Sequence, residues 1–152
     1  MILNQQHEVR VARGPLESFL RRVERELGLR HSDLTVCLVS DRAMARLNRN
    51  FRKKKGPTDV LSFPAVPKRY PARVRRRPRA VNSCEPEYLG DIAISPATAR
   101  RYAQKHDRPL PSELCALILH GVLHLLGYDH ETDRGEMDKI EQRLRKRFGL
   151  TR

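Results

Sequence analysis

Apolar residues recur at helical spacing in five stretches of the chain and bunch into short blocks between them. Leu16, Phe19, Leu20, Val23 and Leu27 repeat every three or four residues, with Arg and Glu between them. Pro15 at the front and Gly28 behind make this an amphipathic helix with a first-turn proline and a glycine stop. Met44, Leu47 and Phe51 give a second helix its core face, and Asp41 stands where its N-cap belongs. Ser95 followed by Pro96 opens a third helix that runs to about His106. After the connection DRPLPS a fourth helix begins at Ser112 and is apolar on nearly every side from Leu114 to Leu126. A helix of that kind is packed on several sides and belongs in the interior. The last helix is expected from Asp133, with Glu136 completing a capping box, a core stripe of Met137, Ile140 and Leu144, and Gly149 as its stop.

Strands are expected near Val9 and Val11, at Thr35–Ser40, at Val60–Pro64 and at Tyr88–Ser95. Helices and strands are mixed without strict alternation, which predicts an α+β fold. A small mixed β-sheet is packed with helices around one buried central helix. The length of 152 residues fits one domain, 1–152. Within it, a basic and flexible insertion is expected at about 67–86, because KRYPARVRRRPR (Lys68 to Arg79) carries seven basic residues and no acid.

Charge changes the picture more than composition does. Lys and Arg number 31 against 18 Asp and Glu, a net charge of +13, and +6 remain when the insertion's seven are subtracted. Such an excess points to a polyanionic partner and says nothing about fold. The longest apolar run, Leu114 to Gly127, spans 14 residues and holds two histidines, short of the roughly 20 a membrane-spanning helix needs. No helix joins the basic charge to a large apolar face, so no membrane partner is expected. The opening MILNQQHEVR lacks the layout of a signal peptide. Cys37, Cys84 and Cys115 are scattered and odd in number, which reads as reduced thiols in a cytoplasmic protein.

The chemistry lies in the apolar helix. His120 and His124 are four residues apart and share a helical face. Gly127 can end the helix in the left-handed conformation, and three further residues bring His130 round as a third ligand. Imidazoles on an aliphatic helix are costly to bury unless something binds them. Three of them with no nearby thiolate form the open, catalytic kind of zinc site, which leaves a position for water or substrate. His7, His31 and His106 sit among polar residues and are expected at the surface. The spacing HxxxHxxGxxH matches a metalloprotease pattern at every position but one: Gly121 stands where the protease has its glutamate base. Metal-assisted chemistry on a phosphodiester demands less of such a base. Asp59, Asp91 and Asp129 are candidates for carboxylates that orient a histidine.

Three blocks, LNRNFRKKKGPTDVLSFP (Leu47 to Pro64), LGDIAIS (Leu89 to Ser95) and HGVLHLLGYDH (His120 to His130), closely resemble the YbeY family of bacterial endoribonucleases. The resemblance implies a zinc ion on His120, His124 and His130, with His120 and Arg52 in the catalytic machinery. It also implies cleavage of single-stranded RNA, maturation of the 3′ end of small-subunit ribosomal RNA and ribosome quality control. The implied partners are a small-subunit ribosomal protein and an Era-type GTPase. The insertion is longer and more basic than the family connection.

From the residues alone, Arg52 can grip a phosphate bidentately or be a solvated surface arginine. Lys53, Lys54 and Lys55 are expected to track an RNA backbone, as are Arg75, Arg76 and Arg77 of the insertion. Attack by a metal-activated water and attack by the RNA's own 2′-hydroxyl both stay open. A metal-stabilised ribosome-assembly factor that binds RNA without cutting it is the main alternative, and a protease is a more distant one. Zinc is the expected ion by availability, although other divalent transition metals suit the same donors.

Overall fold

A hydrophobic sheet strand alternates its side chains between two faces, and here each face of one small sheet finds a different helical cover. The computed structural model describes residues 1–30, 32–65 and 87–150. Its elements in chain order are β1 (Ile2–Asn4), α1 (Arg13–Glu26), β2 (Ser32–Leu38), α2 (Asp41–Arg52) and β3 (Val60–Pro64). They continue with β4 (Glu87–Ile94), α3 (Pro96–Lys105), α4 (Leu110–Leu125) and α5 (Glu136–Phe148). The strand order is β1-β2-β4-β3, with β1 and β4 parallel to β2 and β3 antiparallel to β4. This is the α+β fold with a small mixed sheet.

Leu34, Val36, Leu38, Ile92 and Ile94 form one face and join α1, α4 and α5 in the main core. Ten residues of α4 are buried, as its all-round apolar pattern requires. Cys37, Leu61, Phe63 and Ala93 form the opposite face, packed on Met44 of α2. The β2–β4 register shifts by one residue at Leu34, opposite Gly90. Gly90 has φ +133°, and a Cβ there would overlap the carbonyl oxygen of Phe63. That overlap explains a glycine inside a strand.

Several local expectations are corrected. The first strand is Ile2–Asn4, not the stretch near Val9 and Val11. Val9 is buried, but the Gln6 side chain pairs with its backbone, accepting from the Val9 N–H at 2.9 Å and donating to its carbonyl at 2.8 Å. That pairing substitutes for a strand neighbour. Helix α1 starts two residues before Pro15, and α4 starts at Leu110, so Pro111 lies in its first turn. Ser40, not Asp41, caps α2, accepting from the Ala43 N–H at 3.1 Å. Asp41 instead ties α2 to α3, accepting hydrogen bonds from Ser95, Thr98 and Arg101. Partial burial would raise its carboxyl, but those three donors hold it below the ordinary value. Helix α5 starts at Glu136 behind Gly135 at φ +85°; Asp133 caps it from outside, accepting from the N–H groups of Gly135 and Met137 at 2.8 Å each. Phe51 is not core: it is 64% exposed. His31, Cys84 and the basic stretch with Arg75, Arg76 and Arg77 lie outside the described residues.

Candidate metal centre

Helix α4 sets the site by its pitch. His120 and His124 lie one turn apart on the rim of the buried helix, where their rings meet edge to face at a centroid distance of 4.6 Å. Gly127, at φ +94°, reverses the chain, and the N–H of Tyr128 returns to the Leu123 carbonyl at 3.1 Å. The following turn carries His130 back, its ring 5.7 Å from that of His120 and 5.5 Å from that of His124. One ring nitrogen of each histidine lies within 4.8 Å of the others.

Hydrogen bonds on the far side of the rings fix their tautomers. Nδ1 of His124 lies 2.9 Å from the carbonyl oxygen of Tyr128, which can only accept, so the proton sits on Nδ1. Nδ1 of His120 donates to the Glu141 carboxylate at 3.0 Å. In the neutral rings both Nε2 atoms then carry lone pairs, and they face each other at 3.0 Å. Two facing lone pairs repel unless a cation sits between them. With His130 beside them, the donor set fits a divalent transition ion.

Glu141 is the residue that sequence reasoning missed. Its Oε1 accepts from Nε and Nη2 of Arg145 at 3.0 and 2.6 Å, while Oε2 accepts the hydrogen bond from Nδ1 of His120. Burial alone would raise this carboxyl; the His120 hydrogen bond and the Arg145 guanidinium hold it below the ordinary value. An ionised carboxylate behind a ligand histidine fixes the ring and raises its basicity. A signal existed in the chain: Glu141 sits between Met137 and Leu144 at buried-stripe spacing, with Arg145 four residues on. Glu141→Gln keeps the shape but loses the charge, and is expected to weaken metal affinity about ten- to hundred-fold. Competition with a chromophoric chelator measures this.

Of the three aspartates considered for that role, Asp91 binds the Tyr88 hydroxyl at 2.5 Å, and Asp59 caps the start of β3 through the Val60 N–H at 2.9 Å. Asp129 lines the site beside His130 and accepts from the Glu131 N–H at 3.1 Å.

The histidines open into a cleft of about 640 Å³ lined by β3, one of the two edge strands of the sheet. Arg52, the last residue of α2, reaches this cleft from the side opposite α4, and Phe51 and Phe63 line it too. Two residues far apart in sequence, Arg52 and His120, thus border one space. On the floor, the Ser62 hydroxyl donates to the Gly121 carbonyl at 3.2 Å. Gly121 itself packs against β4, where a Cβ would come within 2.8 Å of the Ile92 side chain.

A sequence model described as Endoribonuclease YbeY matches residues 1–149. The chain belongs to the YbeY endoribonuclease family. An Endoribonuclease YbeY of Solibacter usitatus is 41% identical over 138 residues, covering 91% of this chain and 80% of its own. One from Koribacter versatilis is 39% identical over 150 residues, covering 99% of this chain and 86% of its own. A solution structure of a Thermotoga maritima protein superposes with a TM-score of 0.61 at 26% identity, over 98% of this chain and 90% of that one.

Membership of the YbeY family makes this chain an endoribonuclease, with RNA as its class of substrate. Lys53, Lys54 and Lys55 are exposed directly after Arg52, where α2 ends with Lys53 in the left-handed conformation. His7 and His106 are exposed, as expected. Burial pushes the Cys115 thiol up to about 11, which leaves it unreactive at neutral pH. Among the described residues no helix is long and apolar enough to cross a membrane.

Proposed function

We propose that this chain is a zinc-dependent endoribonuclease that cuts single-stranded RNA, acting in the cytoplasm on the 3′ end of small-subunit ribosomal RNA and in ribosome quality control. The observation that carries the reading is the convergence of three imidazoles and Arg52 on one open cleft. His120, His124 and His130 would hold the ion, which when bound supplies Lewis-acid stabilisation of developing charge and activation of water. Arg52 grips the scissile phosphate, where a guanidinium offers two parallel donors and steadies the extra charge of the transition state. Glu141 keeps the His120 ring aligned, and the Tyr128 carbonyl does the same for His124. Lys53, Lys54 and Lys55 follow the RNA backbone away from the cleft. Residues 1–152 act as one domain, and the insertion at about 67–86, with Arg75, Arg76 and Arg77, adds further phosphate contacts. A small-subunit ribosomal protein and an Era-type GTPase are the partners that family likeness supports.

The test is end-group analysis of RNA cut by the full chain. A 2′,3′-cyclic phosphate on the upstream fragment assigns the attack to the RNA's own 2′-hydroxyl. A 5′-phosphate on the downstream fragment assigns it to water. RNA bound tightly but left intact under every metal condition contradicts the reading.

A further inference from the structure

Phe51 is a phenyl ring that the fold leaves in solvent. Its helix periodicity marks it as core, yet it is 64% exposed, whereas most other large apolar side chains among the described residues are inside. The ring is nevertheless held in place. It meets Phe63 of β3 in a T-shaped contact, centroids 5.0 Å apart and planes at 71°. Phe63 is half-buried and anchored in the cluster around Met44, so it props Phe51 at the cleft wall without covering it. Next in the chain stands Arg52, which lines the same cleft, and the three exposed lysines follow.

We propose that Phe51, braced by Phe63, is a nucleobase-stacking subsite that holds one unpaired base beside the scissile phosphate. The inference rests on the endoribonuclease reading of the cleft and adds a source of selectivity to it. Cationic side chains contact phosphates in single and double strands alike, so they cannot explain a preference for single strands. A base can lie flat on an aromatic ring only when it is not already paired and stacked in a duplex. An exposed ring one residue from a phosphate-gripping arginine supplies that discrimination. It is tolerant of sequence, because every base has a π face. The surrounding charge, with Arg52 and Lys53 to Lys55 all cationic, favours a nucleic acid strand over the apolar side chain of a protein partner.

The test uses the full-length protein and a short single-stranded oligoribonucleotide carrying one 2-aminopurine, mixed rapidly so that fluorescence is read before cleavage. Stacking on Phe51 quenches the probe. Phe51→Ala is expected to lose the quench and to bind the strand about five- to a hundred-fold more weakly, with unchanged affinity for a duplex of the same sequence. Phe51→Trp should retain the quench, while Phe51→Leu, apolar but without a ring, should behave like the alanine variant. Because the side chain is exposed, thermal unfolding should be close to that of the parent in all three. Equal quench and affinity in parent and Phe51→Ala overturn the proposal, as does full binding by Phe51→Leu. If the parent binds the strand with the expected quench but never cuts it, the stacking site stands and the enzymatic reading fails. If the parent does not bind the strand at all, both fail.

Discussion

Replacing His124 with alanine is expected to strip the protein of its metal ion and of RNA cleavage while leaving it folded. The side chain is half-buried at the rim of α4, and alanine is the best helix former, so the helix persists. What disappears is one of two lone pairs that face each other at 3.0 Å. Two imidazoles remain where three stood, so the loss of metal affinity should exceed the ten- to hundred-fold expected for Glu141→Gln. Arg52→Ala provides the contrast. The arginine is exposed at the end of α2 and takes no part in ligation, so metal content and stability should match the parent. Cleavage should fall by about 10²–10³, the range seen when one donor to a developing oxyanion is removed. A purely structural ion predicts the opposite for the histidine: His124→Ala would unfold, as structural zinc domains do without metal. Metal analysis, circular dichroism and a cleavage assay on the same three preparations distinguish the two.

Gly121→Ala is expected to destabilise the fold although it replaces a poor helix former with the best one. On propensity alone the change gains about 1 kcal/mol. Packing decides the sign the other way. The new Cβ would lie 2.8 Å from Cγ2 and 2.9 Å from Cδ1 of Ile92, a β-branched residue with no exposure at all. Overpacking of such a core costs about 1–3 kcal/mol, and for a domain of this size each kcal/mol lowers the melting temperature by about 2–4 °C. The net loss should show in thermal unfolding. A gain in stability would mean that Ile92 finds another rotamer and that the close helix–sheet approach is not required. Gly121→Glu restores the metalloprotease pattern on paper, but it would drive a carboxylate into the same gap. Unfolding is the expected outcome, not proteolysis.

These two positions show what could and could not be read from the chain. The three-histidine cluster was legible because its geometry is local: a four-residue helical step and a glycine turn bring His120, His124 and His130 together without reference to the rest of the fold. The edges of β3 and the Ser95–Pro96 helix start were legible for the same reason. Gly121 was visible only as a missing base, because its packing partner Ile92 lies on a strand 29 positions earlier. Glu141 was overlooked because the contact of α5 with α4 is tertiary, although an acid at stripe spacing was a readable oddity. Phe51 was assigned to the core because periodicity reports the face of a helix and not where the helix ends. Phe51 stands one residue before the end of α2, and there the last apolar residue of the stripe meets the cleft instead of the interior.

The decisive measurement is cleavage of an end-labelled, single-stranded fragment from the 3′ end of small-subunit ribosomal RNA by the full chain. It should be run with zinc, with excess chelator, and with zinc restored. Discrete cuts are expected with zinc, none with chelator, and recovery on restoring the ion, while the protein stays folded throughout. Cutting that is indifferent to chelation, or a metal-loaded and folded protein that binds the fragment and leaves it whole, would contradict it.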